Sequence, residues 1–214
     1  MNRSGDTAGT GPAHAPRAGA ALIGGHPVLD FTNTVAWRTD PSRRVDRVGG
    51  IADWTRWADA AGVLDAERAE ALRDRAARQD AAEILSQLRS LTALRTTVSA
   101  VLDALVDGAP PPAGPWQDLR RDLVAARQEA DLPPSLPIRW QARTDRFADL
   151  THALALRTDE LLSSPLVERV RRCQGPGCGW FFLDRSRNAT RRWCSSGDCG
   201  NRERARRHYR RSQG

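Results

Sequence analysis

Apolar residues recur at intervals of three and four along most of this chain, and clusters of Pro and Gly cut the pattern into segments. The clearest segment carries Ile84, Leu88, Leu91, Leu94, Val98, Val101, Leu102 and Leu105 on one face, which predicts a long amphipathic helix. No Pro or Gly occurs in residues 66–107, and Gly108 with Pro110, Pro111 and Pro112 ends the run. Ile51, Trp54, Ala58 and Ala61 predict a shorter helix stopped by Gly62, after which Asp65 reads as the N-cap of a helix reaching about Arg78. Leu119, Leu123 and Ala126 predict a helix from near Trp116, terminated by Pro133, Pro134 and Pro137. A last helix in the body runs from Asp145 to about Leu162, with Phe147, Leu150, Leu154 and Leu161 inward, and Ser163-Ser164-Pro165 breaks it.

Between these segments the pattern is less regular. Val28, Leu29, Phe31 and Val35 fit a strand or a helix, and Pro27 argues against an uninterrupted helix before them. Thr39-Asp40-Pro41 with Arg43, Arg44 and Arg47 reads as a polar loop. Ile138-Arg139-Trp140 and the stretch Leu166 to Arg172 read as short strands. Trp54, Trp57, Trp116 and Trp140 are expected in the core or in seams between helices, with core also the simplest place for Trp37. The fold class is therefore α+β and mostly helical. Residues 1–20 read as a disordered tail that makes a poor signal peptide. No apolar run approaches the roughly 20 residues of a membrane span, so no membrane is expected as a partner and the location is expected to be cytoplasmic.

Charge changes this picture at one end only. All 33 basic residues are arginine, a bias that a GC-rich genome produces without any functional cause, so placement matters more than number. Residues 169–214 hold 13 arginines against three acids, a net charge of +10. In the remainder 20 arginines face 23 acids, a net of −3. A basic module on a mildly acidic body implies a polyanionic partner for that module.

All four cysteines lie in the same module, as Cys173-x4-Cys178 and, after fifteen residues, Cys194-x4-Cys199. In a reducing compartment, clustered cysteines point to metal and away from disulfides. Two paired turns at this separation suit tetrahedral thiolate coordination of one structural Zn2+, with free thiols, a reactive dithiol or an iron–sulfur cluster as alternatives. Gly175, Gly177, Gly197 and Gly200 permit tight turns around sulfur. The segment between the pairs is long enough for a hairpin, with Trp180, Phe181 and Phe182 outgoing and Trp193 returning. A core that small needs metal for much of its stability. After Cys199 a helix places Arg202, Arg206 and Arg210 on one face with Arg207 beside them, and the hairpin adds Arg185, Arg187, Arg191 and Arg192. These eight arginines are the candidate nucleic-acid contacts; the alternative is a solvated tail.

Arg191-Arg192-Trp193-Cys194 and Cys199-Gly200-Asn201-Arg202, preceded by Asp184, Ser186 and Asn188, resemble the signature of the CGNR zinc finger family. The opening Leu29-Asp30-Phe31-x-Asn33-Thr34 is similar to the ABATE domain usually joined to that finger. The resemblance implies zinc on the four cysteines, a treble-clef-like finger of hairpin and helix over residues 166–214, and an ABATE-like helical domain over 21–165. It also implies a stress-induced transcription regulator, and so DNA as partner. Asn201 and Arg202 read either as base contacts or as braces of the metal loop, Arg202 acting through Asp184.

His26, Asp30 and Asn33 are the candidate pocket for a small-molecule effector, but capping and turn hydrogen bonds explain them more simply. No Ser-His-Asp arrangement, phosphate loop or dinucleotide fingerprint is present, and no enzymatic activity is expected. The leading reading is a sensor domain, or a homodimerising one, joined to a zinc-dependent DNA-binding module. Its competitors are a zinc-stabilised protein-interaction or RNA-binding module and, less directly, an enzyme built around His26 and Asp30.

Overall fold

A computed structural model describes residues 22–212, so the expected tail at 1–20 lies outside the described residues. The first element, α1 (Pro27–Thr32), resolves the strand-or-helix ambiguity in favour of helix for Val28, Leu29 and Phe31, whereas Val35 lies in the strand that follows. Pro27 occupies its first turn, where a missing N–H costs nothing, and His26 caps it. A two-stranded hairpin follows, β1 (Val35–Ala36) with β2 (Val45–Asp46), joined by the predicted polar loop. Next come α2 (Ile51–Ala60) and α3 (Ala66–Ala76), the latter capped by the Asp65 carboxylate on Arg68 N–H. The long α4 (Ala81–Val106) is separated from α3 at Asp80, whose carboxylate accepts from Ala82 and Glu83 N–H. Then follow α5 (Ala113–Glu129) and α6 (Asp149–Leu162).

α4, α5 and α6 pack against one another, and α1 lies against α4 and α6. Leu91, Leu94, Val98, Leu102, Leu150 and Leu154 fill their interface, each at most 1% exposed. Phe31, Trp54 and Trp57 form an aromatic cluster with ring centroids 5.5–5.8 Å apart, tying α1 to α2. Among the described residues no helix is long and apolar enough to cross a membrane.

Several expectations need correction. Ile138–Trp140 is not a strand; a single bridge between Asp131 and Gln141 closes this proline-bounded loop, and Ile138 points to solvent. Trp116 and Trp140 are not in the core but 50% and 39% exposed. α5 begins three residues before Trp116, because Pro115 is harmless in a first turn. Only Val170–Arg172 of the stretch from Leu166 is a strand (β3); Pro165–Arg169 forms a tight helical turn capped by Ser164.

β3 pairs antiparallel with β4 (Phe181–Leu183), in the register Val170–Leu183 and Arg172–Phe181. The hairpin therefore encloses the first cysteine pair. The expected hairpin between the two pairs does not form: residues 184–193 return without a strand. The final helix, α7 (Asn201–Ser212), begins just after Cys199.

Candidate metal centre and basic helix

The short β3–β4 ladder delivers Cys173 and Cys178 to the tip of one hairpin. Cys173 N–H still donates to the Trp180 carbonyl at 2.8 Å, and Cys178 N–H closes the turn onto the Gly175 carbonyl at 2.9 Å. Cys194 arrives at the end of the returning loop, and Cys199 in a wide helical turn (Ser196–Gly200) that runs into α7. All four cysteines are buried, and their sulfurs lie within 4.8 Å of one another. Zn–S bonds of about 2.3 Å at tetrahedral angles put sulfurs about 3.8 Å apart. Cys194 Sγ lies 3.7 Å from Cys178 Sγ and 3.6 Å from Cys199 Sγ, so this site fits one zinc ion with four protein ligands.

The surroundings suit the charge such a centre carries. Four thiolates around a divalent cation leave a net −2. The Arg202 guanidinium donates to Cys199 Sγ at 2.8 Å, and Gly175 and Cys194 N–H donate to Cys173 Sγ at 3.4 and 3.3 Å. Hydrogen bonds from neighbouring thiols, Cys178 first, hold Cys173 well below the ordinary thiol range. The same crowding, led by contact with Cys173, pushes Cys178 and Cys194 upward. Four sulfurs this close repel one another as thiolates, and a divalent cation among them offsets that repulsion. Gly175 is required sterically: a Cβ there would sit 2.9 Å from Cys199 Sγ.

Asp184 is fully buried, but the expected brace with Arg202 does not form; Arg202 turns to Cys199. Burial pushes its carboxyl up, but hydrogen bonds outweigh that and leave it below its ordinary range. The donors are Ser186 Oγ at 2.6 Å and the N–H groups of Ser186 and Arg191, each at 2.9 Å. Asp184 thus shapes the returning loop. Asn201 donates to the Gly197 carbonyl at 2.7 Å and accepts from Arg204, so its amide holds the metal loop.

The finger is built into the body. Phe181, Leu183 and Val170 belong to the main core. Asn33, 4% exposed, donates to the Phe181 carbonyl at 2.8 Å and accepts from Phe181 N–H at 2.9 Å. Trp180 Nε1 donates to the Val35 carbonyl at 2.7 Å. Arg172 reaches Asp103 at 3.0 Å and also pairs with Asp107 on α4, and Arg38 meets Asp103 at 2.7 Å.

Matching against family models gives two results. Residues 25–170 match ABATE, described as "Putative stress-induced transcription regulator". That match covers most of the chain. The chain belongs to the ABATE family. Residues 169–212 of this ABATE protein match the CGNR zinc finger. No curated protein is matched by the chain. The two family matches meet inside β3, the strand that the body and the finger share.

The candidate DNA contacts of the ABATE protein divide by their partners. Arg191 donates to the carbonyls of Trp193 (2.9 Å) and Cys194 and covers the Phe182 ring, so it braces the loop. Arg202 is held by Cys199 and stacks on Trp37 at 4.6 Å. Arg192 pairs with Gln174 at 2.7 Å, and Arg185 with the Gly25 carbonyl at 3.0 Å. Arg207 and Arg210 share Glu203 at 3.5 and 3.6 Å. Arg187 and Arg206 are exposed and make no ion pair among the described residues.

The expected pocket at His26, Asp30 and Asn33 is not assembled. His26 caps α1, accepting from Val28 N–H through Nδ1 at 3.2 Å; burial first holds its pKa below the ordinary value and keeps that lone pair free. Asp30 accepts from Gly24 N–H at 2.8 Å, and burial pushes its carboxyl up to about 6. Asn33 is committed to Phe181. Asn33 thus ties the body to the finger, while His26 and Asp30 hold main-chain N–H groups at the start of the body. Trp37 was also misjudged: it is half-buried at the finger's edge, not in the core.

Proposed function

We propose that this zinc-binding regulator acts by holding duplex DNA against its C-terminal basic helix. The observation that carries this reading is α7 itself. It has six arginines in twelve residues and not one buried side chain. A helix polar on every side gains nothing from core packing, and like charges along it repel. A polyanion relieves that repulsion, and zinc fixes where the helix starts. Phosphate contacts, each releasing a counterion, supply most of the affinity.

The body's part in this proposal is to receive a signal or to pair with a second copy. Support for an effector lies away from His26. A cleft of about 630 Å³ runs between the loop at Ile138–Thr144 and α6, lined by Arg68, Arg139, Trp140, Leu156 and Arg157. Pairing is argued from size, since one finger covers little DNA and specific sites need more surface. The proposal assigns no enzymatic activity and a cytoplasmic location.

The test is a salt titration of binding to a random-sequence duplex, read by fluorescence anisotropy. Wild type is expected to bind tightly at low salt and to weaken steeply as salt rises. Arg206→Ala with Arg207→Ala should lower the log–log slope by about two, one per lost phosphate contact. No binding at low salt would sink the proposal, and binding to an acidic peptide instead would favour the protein-interaction reading.

A further inference from the structure

The basic loop between β1 and β2 belongs to the N-terminal domain, yet it rests on the metal centre. Arg38 N–H donates to the Cys178 carbonyl at 3.1 Å, and Thr39 N–H to the Gly177 carbonyl at 3.3 Å. Contact is so close at Gly177 that a Cβ there would lie 2.9 Å from Asp40 Cβ. The hairpin base is fixed from the other side. Arg95 of α4, 4% exposed, donates to Thr34 Oγ1 at 2.8 Å and to Asp46 Oδ1 at 2.9 Å. This loop therefore moves with the zinc site as one piece.

Trp37 sets the geometry. Its φ of 53° is in the left-handed region that non-glycine residues seldom occupy. In that conformation its ring carries two cations. The Arg43 guanidinium lies 3.3 Å from the ring centroid and that of Arg202, in the first turn of α7, lies 4.6 Å from it. The two guanidinium carbons are thus at most 7.9 Å apart, the sum of those distances. Two cations on one indole repel; Arg202 is balanced by the Cys199 sulfur, to which it donates at 2.8 Å, whereas Arg43 has no such counter-charge among the described residues. Arg43 and Arg44 are both exposed, and neither makes an ion pair among the described residues. The loop's own acid, Asp40, is turned to Ser42, accepting from its hydroxyl at 2.7 Å. The other acids of the finger are Asp184, committed to Ser186 and Arg191, Glu203, shared by Arg207 and Arg210, and Asp198, whose charge acts on Arg202 and which makes no ion pair with Arg43 or Arg44.

We propose that Arg43 and Arg44 form a second phosphate-binding edge, so that duplex DNA is held between this loop of the ABATE domain and α7. The proposal rests on the DNA-binding reading above and adds residues from outside the finger to it. It accounts for the strained Trp37: the ring aligns a body arginine beside the first turn of the finger helix. A tract of backbone phosphates then meets one continuous basic edge in place of an isolated helix.

The experiment compares four full-length, zinc-loaded proteins on one random duplex: wild type, Arg43→Ala with Arg44→Ala, Arg44→Glu, and Arg206→Ala with Arg207→Ala. Arg44→Glu guards against loss of fold, since that side chain is exposed; zinc content and melting temperature are recorded for all. The loop double variant should lose about two units of salt slope and on the order of 10- to 100-fold in affinity at 0.1 M salt. Arg44→Glu should weaken binding at unchanged melting temperature. If both loop variants bind as wild type while the α7 variant is weakened, this inference is overturned and the DNA-binding reading stands. If wild type itself does not bind, both are overturned.

Discussion

Replacing Asn33 with alanine removes two buried hydrogen bonds at once, those to the N–H and the carbonyl of Phe181. Both main-chain groups belong to β4 and are shielded from water, because Phe181 is fully buried. Leaving a buried donor or acceptor without a partner costs about 1–3 kcal/mol each. The substitution should therefore destabilise the chain by roughly 2–6 kcal/mol, or by roughly 4–24 °C in melting temperature for a chain of this size. Trp180 Nε1 still holds the Val35 carbonyl and Leu183 N–H still holds that of Gly24, so the finger stays docked in the native state. The assay follows tryptophan fluorescence and zinc release, the latter with a metallochromic dye, along the same thermal ramp. The two signals should move together and fall together in the variant. Zinc release at an unchanged temperature, with only the body destabilised, would refute the conclusion that finger and body share one core.

The carboxyl of Asp30 offers a pH test. Its folded pKa, about 6, stands above its ordinary value of 3.8, so the folded state binds the proton more tightly. Stability from this group is full below about pH 4 and is lost as pH rises through about 6. Between pH 5 and 7 wild type should lose about 1 kcal/mol relative to Asp30→Asn, whose amide does not titrate; parallel stability curves for the two proteins would contradict the assignment. Gly175→Ala should weaken zinc binding at least tenfold in chelator competition, because the new methyl would collide with Cys199 Sγ; unchanged affinity would mean the turn relaxes freely. Stripping zinc with a chelator should lower the melting temperature of the whole chain, since Phe181 and Leu183 carry the disturbance from the hairpin into the main core.

The sequence by itself determined the features that depend on neighbours a few residues away. Leucine spacing marked α4 and α6, Asp65 marked the start of α3, and the cysteine spacing with its glycines marked a four-sulfur site. Leucine spacing did not locate the start of α4, although Asp80 with Glu83, a cap with an acid three residues on, marks it. Helical periodicity, caps and metal turns are written within one or two turns of chain, so a linear reading finds them. What a given arginine does is not written that way. Arg191, Arg202 and Arg206 look equivalent in sequence; one meets main-chain carbonyls, one a sulfur and an indole, and one solvent. A guanidinium's role follows from how the groups around it are arranged in space: the carbonyls that hold Arg191 and the sulfur that holds Arg202 are two or three residues away, but the Trp37 ring under Arg202 comes from the other end of the chain. His26 and Asp30 serve main-chain groups only two and six residues away, within reach of a linear reading. Only the tertiary structure made Asn33 a pin between body and finger across 148 residues, and Trp37 a shelf for arginines from both ends of the chain.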